Sequence, residues 1–206
     1  MNPAPPPSNP DEASFREPNE KELIRMSQQG DMEAYGMLVK THHQKVFGLA
    51  MNILHNEADA LDLAQETFIK AWKSLARFEG KSAFYTWLYR ITSNLAIDRM
   101  RKNARHPHVD FDEVNLTAED QEAPVNSHLM DSTHPSTGLQ QGELRSQIMA
   151  ALDQLSPEHR TVIVLKEYED LDYREIARVM DCNIGTVMSR LFYARKNLKR
   201  LLKGIV

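Results

Sequence analysis

The chain has 206 residues, of which 41% are hydrophobic and 26% charged, a composition that supports one medium domain or two small ones. No apolar run approaches the roughly 20 residues that cross a bilayer, the N-terminus lacks a secretory-signal pattern, and the single cysteine, Cys182, excludes an internal disulfide framework. We therefore expect a cytoplasmic protein with no direct membrane insertion, although its formal net charge of −4 by itself disfavours nucleic acid as a partner.

The first half of the chain divides into a tail and a helical segment. Residues 1–18 hold six of the ten prolines, which remove backbone donors and interrupt helices, so we expect a disordered tail. From residue 19 to residue 105 apolar residues recur at three- and four-residue steps, which predicts consecutive helices. Gly30 is a predicted helix stop, and Asp31, Asn56 and Ser82 precede predicted helix starts.

The last helix of this segment and the loop before it combine aromatic and basic residues. The stretch "RFEGKSAFYTWLYRITSNLAIDRMRK" places five aromatic side chains beside Lys81, Arg90, Arg99, Arg101 and Lys102. Rings that stack on unpaired bases, next to cations that follow the phosphates, are typical of single-stranded nucleic-acid sites. The same rings would also serve as a helical core, and composition alone leaves both interpretations open.

Residues 106–138 are predicted to form a flexible acidic linker. Acids, prolines and small polar residues dominate there, without helical periodicity. A structureless stretch of this length inside one compact domain would be unusual, which favours two domains. The histidines of the linker lack the spacing of a metal site, so we expect neither a metal nor another cofactor.

Residues 139–206 are predicted to form a second helical domain. Ser156 followed by Pro157 predicts one helix start, and Asp172 with Glu175 predicts a capping box at another. The stretch "REIARVMDCNIGTVMSRLFYARKNLKR" is typical of a helix-turn-helix, with Asp181-Cys182-Asn183 as the turn. Its predicted packing face is Ile176, Met180, Ile184, Val187 and Leu191. The whole chain is predicted to be all-α, with three to four helices in the N-terminal domain and four in the C-terminal one.

The distribution of charge removes the objection to a nucleic-acid partner. Residues 183–206 carry six cations and no acid, and residues 86–106 carry five cations and one acid. Residues 107–143, between them, carry eight acids and no Lys or Arg. The net charge therefore conceals two basic segments separated by an acidic one, which favours DNA contact by two parts of the chain.

Three stretches of the chain together resemble the extracytoplasmic-function (ECF) sigma factors, the small two-domain initiation subunits of bacterial RNA polymerase. They are "DALDLAQETFIKAW", "FEGKSAFYTWLYRITSNLAIDRMRK" and "LSPEHRTVIVLKEYEDLDYREIARVMDCNIGTVMSRLFYARKNLKRLL". The resemblance implies an alternative sigma factor, with no catalytic chemistry of its own, that directs core polymerase to promoters and helps to open them. It implies a region 2-like domain over residues 19–105 and a region 4-like helix-turn-helix domain over residues 139–206.

The resemblance also implies a role for individual residues. Docking on core polymerase is expected from Asp59, Asp62, Leu63, Gln65, Glu66, Lys70 and Trp72. Recognition and melting of the −10 element are expected from Phe78, Lys81, Ser82, Phe84, Trp87, Arg90, Asn94, Arg99, Arg101 and Lys102. Recognition of the −35 element is expected from Gly185, Thr186, Met188, Ser189, Arg190, Phe192, Tyr193, Arg195 and Lys196.

One departure from the family pattern and one alternative function have to be noted. Met188 and Tyr193 stand where family members often carry Arg, so the family's −35 sequence does not transfer to this chain. The implied partners are the two largest subunits of core polymerase, promoter DNA in double-stranded and melted form, and, in many family members, an anti-sigma factor. The alternative function is a stand-alone helix-turn-helix regulator whose first domain senses a ligand or dimerises.

Overall fold

The computed structural model describes residues 18–103 and 138–203, with side chains from residue 142 onward in the second range. Within these ranges the helices are α1 (Glu20–Gln28), α2 (Met32–Leu54), α3 (Glu57–Ser74), α4 (Phe84–Asn103), α5 (Gly138–Leu152), α6 (Pro157–Ile163), α7 (Tyr173–Val179) and α8 (Ile184–Leu201). A 3₁₀ turn, Leu75–Arg77, follows α3, and a π-helical turn, Val164–Tyr168, continues α6.

The all-α prediction is confirmed, since no strand occurs in the two described ranges. The most strand-like run, "TVIVLK", lies in α6 and the π-helical turn. Residues 1–17 of the predicted tail, residues 104–105 of the predicted first domain and residues 106–137 of the predicted linker lie outside the described residues.

Short polar residues begin most helices where the sequence predicts them. Asn56 accepts from the Asp59 amide at 2.9 Å, and Ser156 and Asp172 cap α6 and α7. Gly30 ends α1 with a φ of 96°, a left-handed conformation that glycine adopts without strain. The prediction for Ser82 is wrong: α4 begins one residue later, and the Ser82 hydroxyl donates to the Ala83 carbonyl instead of capping an amide.

The described helices fall into two compact units that divide between Thr41 and His42, inside α2. The second unit contains the remainder of α2 and every later helix. Within it, α3 packs on α4, and α4 also packs on α6 and α7. One hydrophobic cluster joins residues such as Ile53, Leu63, Ala96, Val162 and Leu191. The helices before and after residues 104–137 therefore share a core.

A buried arginine in this core connects three helices. The Arg160 Nε donates to the Leu152 carbonyl and the Arg160 Nη1 to the Ile53 carbonyl, both at 3.0 Å. These carbonyls belong to the last turns of α5 and α2, where helices have no internal donor to offer. Asp153 lies 3.0 Å from the same guanidinium and balances its charge. Burial lowers the pKa of Arg160, and Asp153 opposes that shift.

Replacing Arg160 by leucine should destabilise the fold. In Arg160→Leu both carbonyls lose their donor in a dry site, and Asp153 loses its counter-charge, so the free energy of unfolding should fall by about 3 kcal/mol. Urea unfolding followed by circular dichroism measures this. The matched control is Arg145→Leu, an exposed position on α5. A loss in Arg160→Leu no larger than that of the control would contradict the interpretation.

Candidate polymerase and nucleic-acid interfaces

Helix α3 presents an exposed face opposite its buried one, on which Leu61 and Ile69 lie among charged and amide side chains. Six positions from Ala60 to Ala71 are buried, which leaves four of the predicted docking residues at the surface: Asp62, Gln65, Glu66 and Lys70. Asp59 and Trp72 are half-buried at the edges of this face. Leu63, also a predicted docking residue, is 0% exposed and belongs to the hydrophobic core. It therefore supports the helix and is not part of its exposed face.

Arg99 of α4 reaches across to this same helix. Its Nη1 donates to the Asp59 carbonyl at 2.9 Å, and its Nη2 lies 3.6 Å from the Glu66 carboxylate. The sequence places Arg99 among DNA contacts and Asp59 and Glu66 among polymerase contacts. The structure brings the three together, so in this conformation the Arg99 guanidinium fastens α4 to α3.

The aromatic residues before and within α4 form one cluster. The Phe78 ring lies 5.0 Å from the Trp87 ring and 5.5 Å from the Phe84 ring, edge to face in the second case. Phe84 is only 2% exposed and also contacts the His42 ring at 5.3 Å. Its predicted role as a DNA contact is corrected here: Phe84 is a core residue that supports Phe78 and Trp87, which are half-buried.

The loop in front of this cluster is exposed and carries one acid and one base, Glu79 and Lys81. Gly80 adopts a φ of 71°, and Lys81 at the loop tip is exposed and paired with the neighbouring Glu79. Lys81, Trp87 and Arg90 line a cleft of about 630 Å³ whose opposite wall is the end of α7 and the turn after it. Cys182 lies in that wall, and burial raises the pKa of its thiol, which disfavours the reactive thiolate.

Two predicted −10 cations on α4 are paired with carboxylates of the C-terminal helices. Arg101 contacts Glu158 of α6, a carboxylate whose side chain is 6% exposed. Arg90 Nη2 lies 2.8 Å from Asp181, in the turn between α7 and α8. Asn94 and Lys102 are exposed. Two of the cations expected to meet the −10 element therefore have carboxylates of the chain as partners, one on α6 and one in the turn between α7 and α8.

Two tyrosines of α4 add hydrogen bonds to the C-terminal part of the chain, and the sequence did not indicate these pairs. The Tyr85 hydroxyl donates to Glu175 and the Tyr89 hydroxyl to Glu169, each at 2.6 Å. The second oxygen of Glu175 also accepts from the Asp172 amide in the capping box of α7. No sequence signal reveals these pairs, because their members lie on helices that are distant along the chain.

The helix-turn-helix is formed by α7 and α8. Asp181 adopts a φ of 51° in the turn, and the Cys182 amide donates to the Ala177 carbonyl at 3.0 Å, which closes the C-terminus of α7. Asn183 then caps α8 by accepting from the Thr186 amide at 2.7 Å. Of the predicted packing face, Ile176, Met180, Val187 and Leu191 are buried, but Ile184 is 42% exposed. The prediction for Ile184 is wrong because the helix begins there, outside the cover of α7.

The outer side of α8 carries the predicted −35 residues. Gly185 and Met188 are exposed, as are Arg195 and Lys196, about two turns beyond Met188. Thr186, Ser189, Arg190, Phe192 and Tyr193 are half-buried. Arg195 is paired with Glu167 at 2.7 Å, and the Lys196 Nζ lies 5.8 Å from the centre of the Phe192 ring. Lys199, Arg200 and Lys203 extend the basic surface toward the C-terminus.

These two regions correspond to two known families. Residues 38–106 match Sigma-70 region 2, and residues 145–198 match Sigma-70 region 4, in the order expected. The chain is 37% identical over 188 residues to the RNA polymerase sigma-H factor of Pseudomonas aeruginosa. The alignment covers 91% of this chain and 95% of the relative. It is 36% identical over 185 residues to the ECF RNA polymerase sigma-E factor of Escherichia coli K12, in an alignment that covers 89% of this chain and 94% of that protein. The chain belongs to the ECF sigma factors.

Two solved structures share this arrangement of helices. The sigma factor RpoE of Bartonella quintana, in complex with the anti-sigma factor NepR, matches 84% of this sigma factor with a TM-score of 0.56, 26% identity and 98% coverage of that protein. CnrH, in complex with the cytosolic domain of CnrY, matches 88% with a TM-score of 0.58, 24% identity and 96% coverage, and supports the fold alone. Among the described helices of this sigma factor, none is long and apolar enough to cross a membrane.

The burial of Tyr89 in α4 should make the protein less stable at alkaline pH. Burial and then the hydrogen bond to Glu169 raise the pKa of Tyr89 above its ordinary value of 10.0. Above pH 10 the unfolded chain loses this proton while the folded chain keeps it, so the free energy of unfolding should fall as pH rises, by at most about 1.4 kcal/mol per pH unit.

Tyr89→Phe tests this link between stability and pH. At pH 8 the variant should lose about 1.5 kcal/mol, since it lacks a hydrogen bond to a charged group. Between pH 9.5 and pH 11 its stability should fall less steeply than that of the wild type. Urea unfolding at a series of pH values measures both, with Tyr168→Phe on the exposed surface as the matched control. Equal slopes for Tyr89→Phe and the wild type would contradict the assignment.

Proposed function

We propose that this ECF sigma factor binds bacterial core RNA polymerase, directs it to promoters with two spaced elements, and helps to open the DNA at the −10 element. The observation that carries the proposal is the match of residues 38–106 and 145–198 to regions 2 and 4 in one chain. The region 2 match occupies the place where a stand-alone regulator would have a sensor domain. The proposal therefore assigns residues 19–105 and 139–206 to two functional domains.

The docking surface for core polymerase is the exposed face of α3. Asp62, Gln65, Glu66 and Lys70 supply charges and amide groups that are solvent-accessible without any change in fold. Asp59 and Trp72 form the margins of the face, and Leu63 holds it in place from the core. We assign polymerase binding to this face because it combines charged and amide groups with two exposed apolar side chains, Leu61 and Ile69, on a helix whose opposite side is anchored.

The −10 element is proposed to meet the loop at residues 78–83 and the basic side of α4. Phe78 and Trp87 offer ring faces for an unpaired base, while Lys81, Arg90, Arg101 and Lys102 offer charges for phosphate. Stacking on these rings recovers part of the free energy that strand separation costs. Ser82, Asn94 and Arg99 complete the predicted set, with Arg99 acting through its contact with α3.

The −35 element is proposed to lie against the outer side of α8. Its first two turns would enter the major groove, and the later cations would contact the phosphates. The sigma factor itself performs no bond-making chemistry in this scheme, since polymerase carries out the synthesis. Binding to core polymerase and promoter DNA corresponds to a cytoplasmic location.

An anti-sigma factor is a further proposed partner. The relative from Bartonella quintana was solved in complex with one, and that protein is 26% identical to this chain. The contact between α4 and the α6–α7 region shows two portions of the chain that such a partner would have to accommodate or separate. An anti-sigma factor that keeps α4 against α6 and α7 would compete with the separated conformation that we propose for polymerase binding.

The proposed DNA contacts require the cations of α4 to change partners. A guanidinium that pairs with Glu158 or Asp181 cannot make the same contact with a phosphate at the same time. The Arg90–Asp181 pair is largely exposed, and such pairs contribute only about 0.2–1 kcal/mol, so phosphates can displace it. We infer that α4 separates from α6 and α7 when the sigma factor assembles with polymerase and promoter.

The experiment that tests the function is run-off transcription with sigma-free bacterial core polymerase on a pool of genomic fragments. Addition of this protein should produce discrete start sites that share two spaced upstream elements. The Asp62→Lys variant should lose this activity by more than tenfold, because it reverses a charge on the docking face; Glu143→Lys on α5 is the matched control. Absence of new start sites, with the core active alongside another sigma factor, would reject the proposed function.

The proposed exchange of carboxylate partners for phosphates at Arg90 and Arg101 gives a separate prediction. In the free protein, the Glu158→Gln/Asp181→Asn variant should bind a forked −10 DNA fragment about threefold to tenfold more tightly than the wild type, because Arg101 and Arg90 lose their competing carboxylates. In the holoenzyme, where α4 is already separated from these acids, the affinity should change less than twofold. Fluorescence anisotropy measures both. An equal gain in the two states would show that the acids only repel phosphate.

A further inference from the structure

The N-terminal edge of the recognition helix α8 is apolar. Ile184 is 42% exposed and Met188 is 55% exposed, and they lie four residues apart, on the same side of the helix. Gly185, also exposed, lies between them and adds no side chain. The exposed groups at the N-terminal end of α8 are therefore a branched alkyl side chain, a thioether side chain and the backbone of a glycine.

The polar side chains at this end of the helix are engaged with the helix itself. The Thr186 hydroxyl donates to the Asn183 side-chain oxygen at 3.1 Å, and that oxygen also accepts from the Thr186 amide. The Ser189 hydroxyl donates to the Thr186 carbonyl at 3.0 Å. The exposed cations of α8 begin only at Arg195, nearly two turns beyond Met188. The first turn of α8 consequently offers few hydrogen-bond donors to a base edge.

An apolar edge of this kind selects one feature of the major groove. The base edges there present donors and acceptors, with a single exception: the C5-methyl group of thymine. The N-terminal residues of a recognition helix are those that reach the base edges. Methionine suits such a contact, because its unbranched and polarisable side chain adapts to the position of the methyl group.

We propose that Ile184 and Met188 determine part of the −35 specificity by contacting thymine methyl groups. The proposal rests on the proposed function, since it requires α8 to enter the major groove of the −35 element. It gives the sigma factor a preference for A·T pairs facing the start of α8, with the later cations of the helix contributing affinity and no sequence preference. Ile184 thereby changes from a predicted packing residue to a specificity residue.

The test replaces thymine by deoxyuridine, which lacks only the C5-methyl group, one position at a time in the −35 element of a promoter found by run-off transcription. Holoenzyme containing the wild-type chain should bind about fourfold more weakly at one or more of these positions, the effect of losing one buried methyl group. Holoenzyme with Met188→Ala or Ile184→Ala should be insensitive to deoxyuridine at its own position. Met188→Leu, which keeps an apolar side chain, should retain the sensitivity.

Lys196→Ala is the control for a contact that carries no sequence information. It should weaken binding to every duplex by the same factor, lower the salt dependence of binding by about one phosphate contact, and leave the deoxyuridine pattern unchanged. The proposal is overturned if the −35 element contains no A·T pair, if deoxyuridine is neutral throughout it, or if both alanine variants keep the wild-type sensitivity. Failure to find any promoter would instead reject the proposed function.

Discussion

The arrangement of the second unit depends on the packing of α4 against α3, α6 and α7. This helix buries one side against α3, and its basic residues find carboxylates on three other elements: Arg99 at Glu66, Arg101 at Glu158 and Arg90 at Asp181. The tyrosines of α4 add hydrogen bonds to Glu169 and Glu175. Since α4 also shares its apolar residues with the core around α6 and α7, it is the element through which the described helices of the second unit are joined.

The contacts of α4 differ in how readily they can be exchanged. The Arg90–Asp181 pair is open to solvent and therefore weak, whereas Tyr89 is buried and its hydrogen bond lies in a region of low dielectric. An interface of this composition is stable in the free protein yet presents phosphate-like acceptors to the same cations that DNA would use. We propose that phosphate replaces Asp181 at Arg90 most readily, whereas release of Arg101 requires the Glu158 carboxylate, whose side chain is 6% exposed, to become hydrated as α4 separates from α6.

The recognition helix separates affinity from specificity along its length. Its N-terminal turn is apolar at the surface, and its exposed cations are concentrated in its second half. A helix with this division approaches DNA through long-range attraction to phosphate, while the choice of sequence is left to short-range contacts of a few atoms. Asn183 caps α8 and so fixes the residue at which the helix begins. It thereby determines which side chains lie at the exposed N-terminal end.

The sequence by itself determined the helices, most of their caps, the helix-turn-helix and the family, because periodicity, capping residues and motif order depend on neighbours within a few residues. It also located both basic segments, since local charge is read directly along the chain. It did not determine that Leu63 and Phe84 are buried or that Ile184 is exposed, because a helical period identifies a face but not what covers it.

Only the tertiary structure decided the partners of Arg90, Arg99, Arg101, Tyr85 and Tyr89. Each pair joins α4 to a different segment of the chain, in four of the five cases across residues 104–137. Many carboxylates in the sequence would have served equally well. The choice among them is made by the packing of α4 on α3, α6 and α7, since a charge pairs with whichever opposite charge the fold brings within reach.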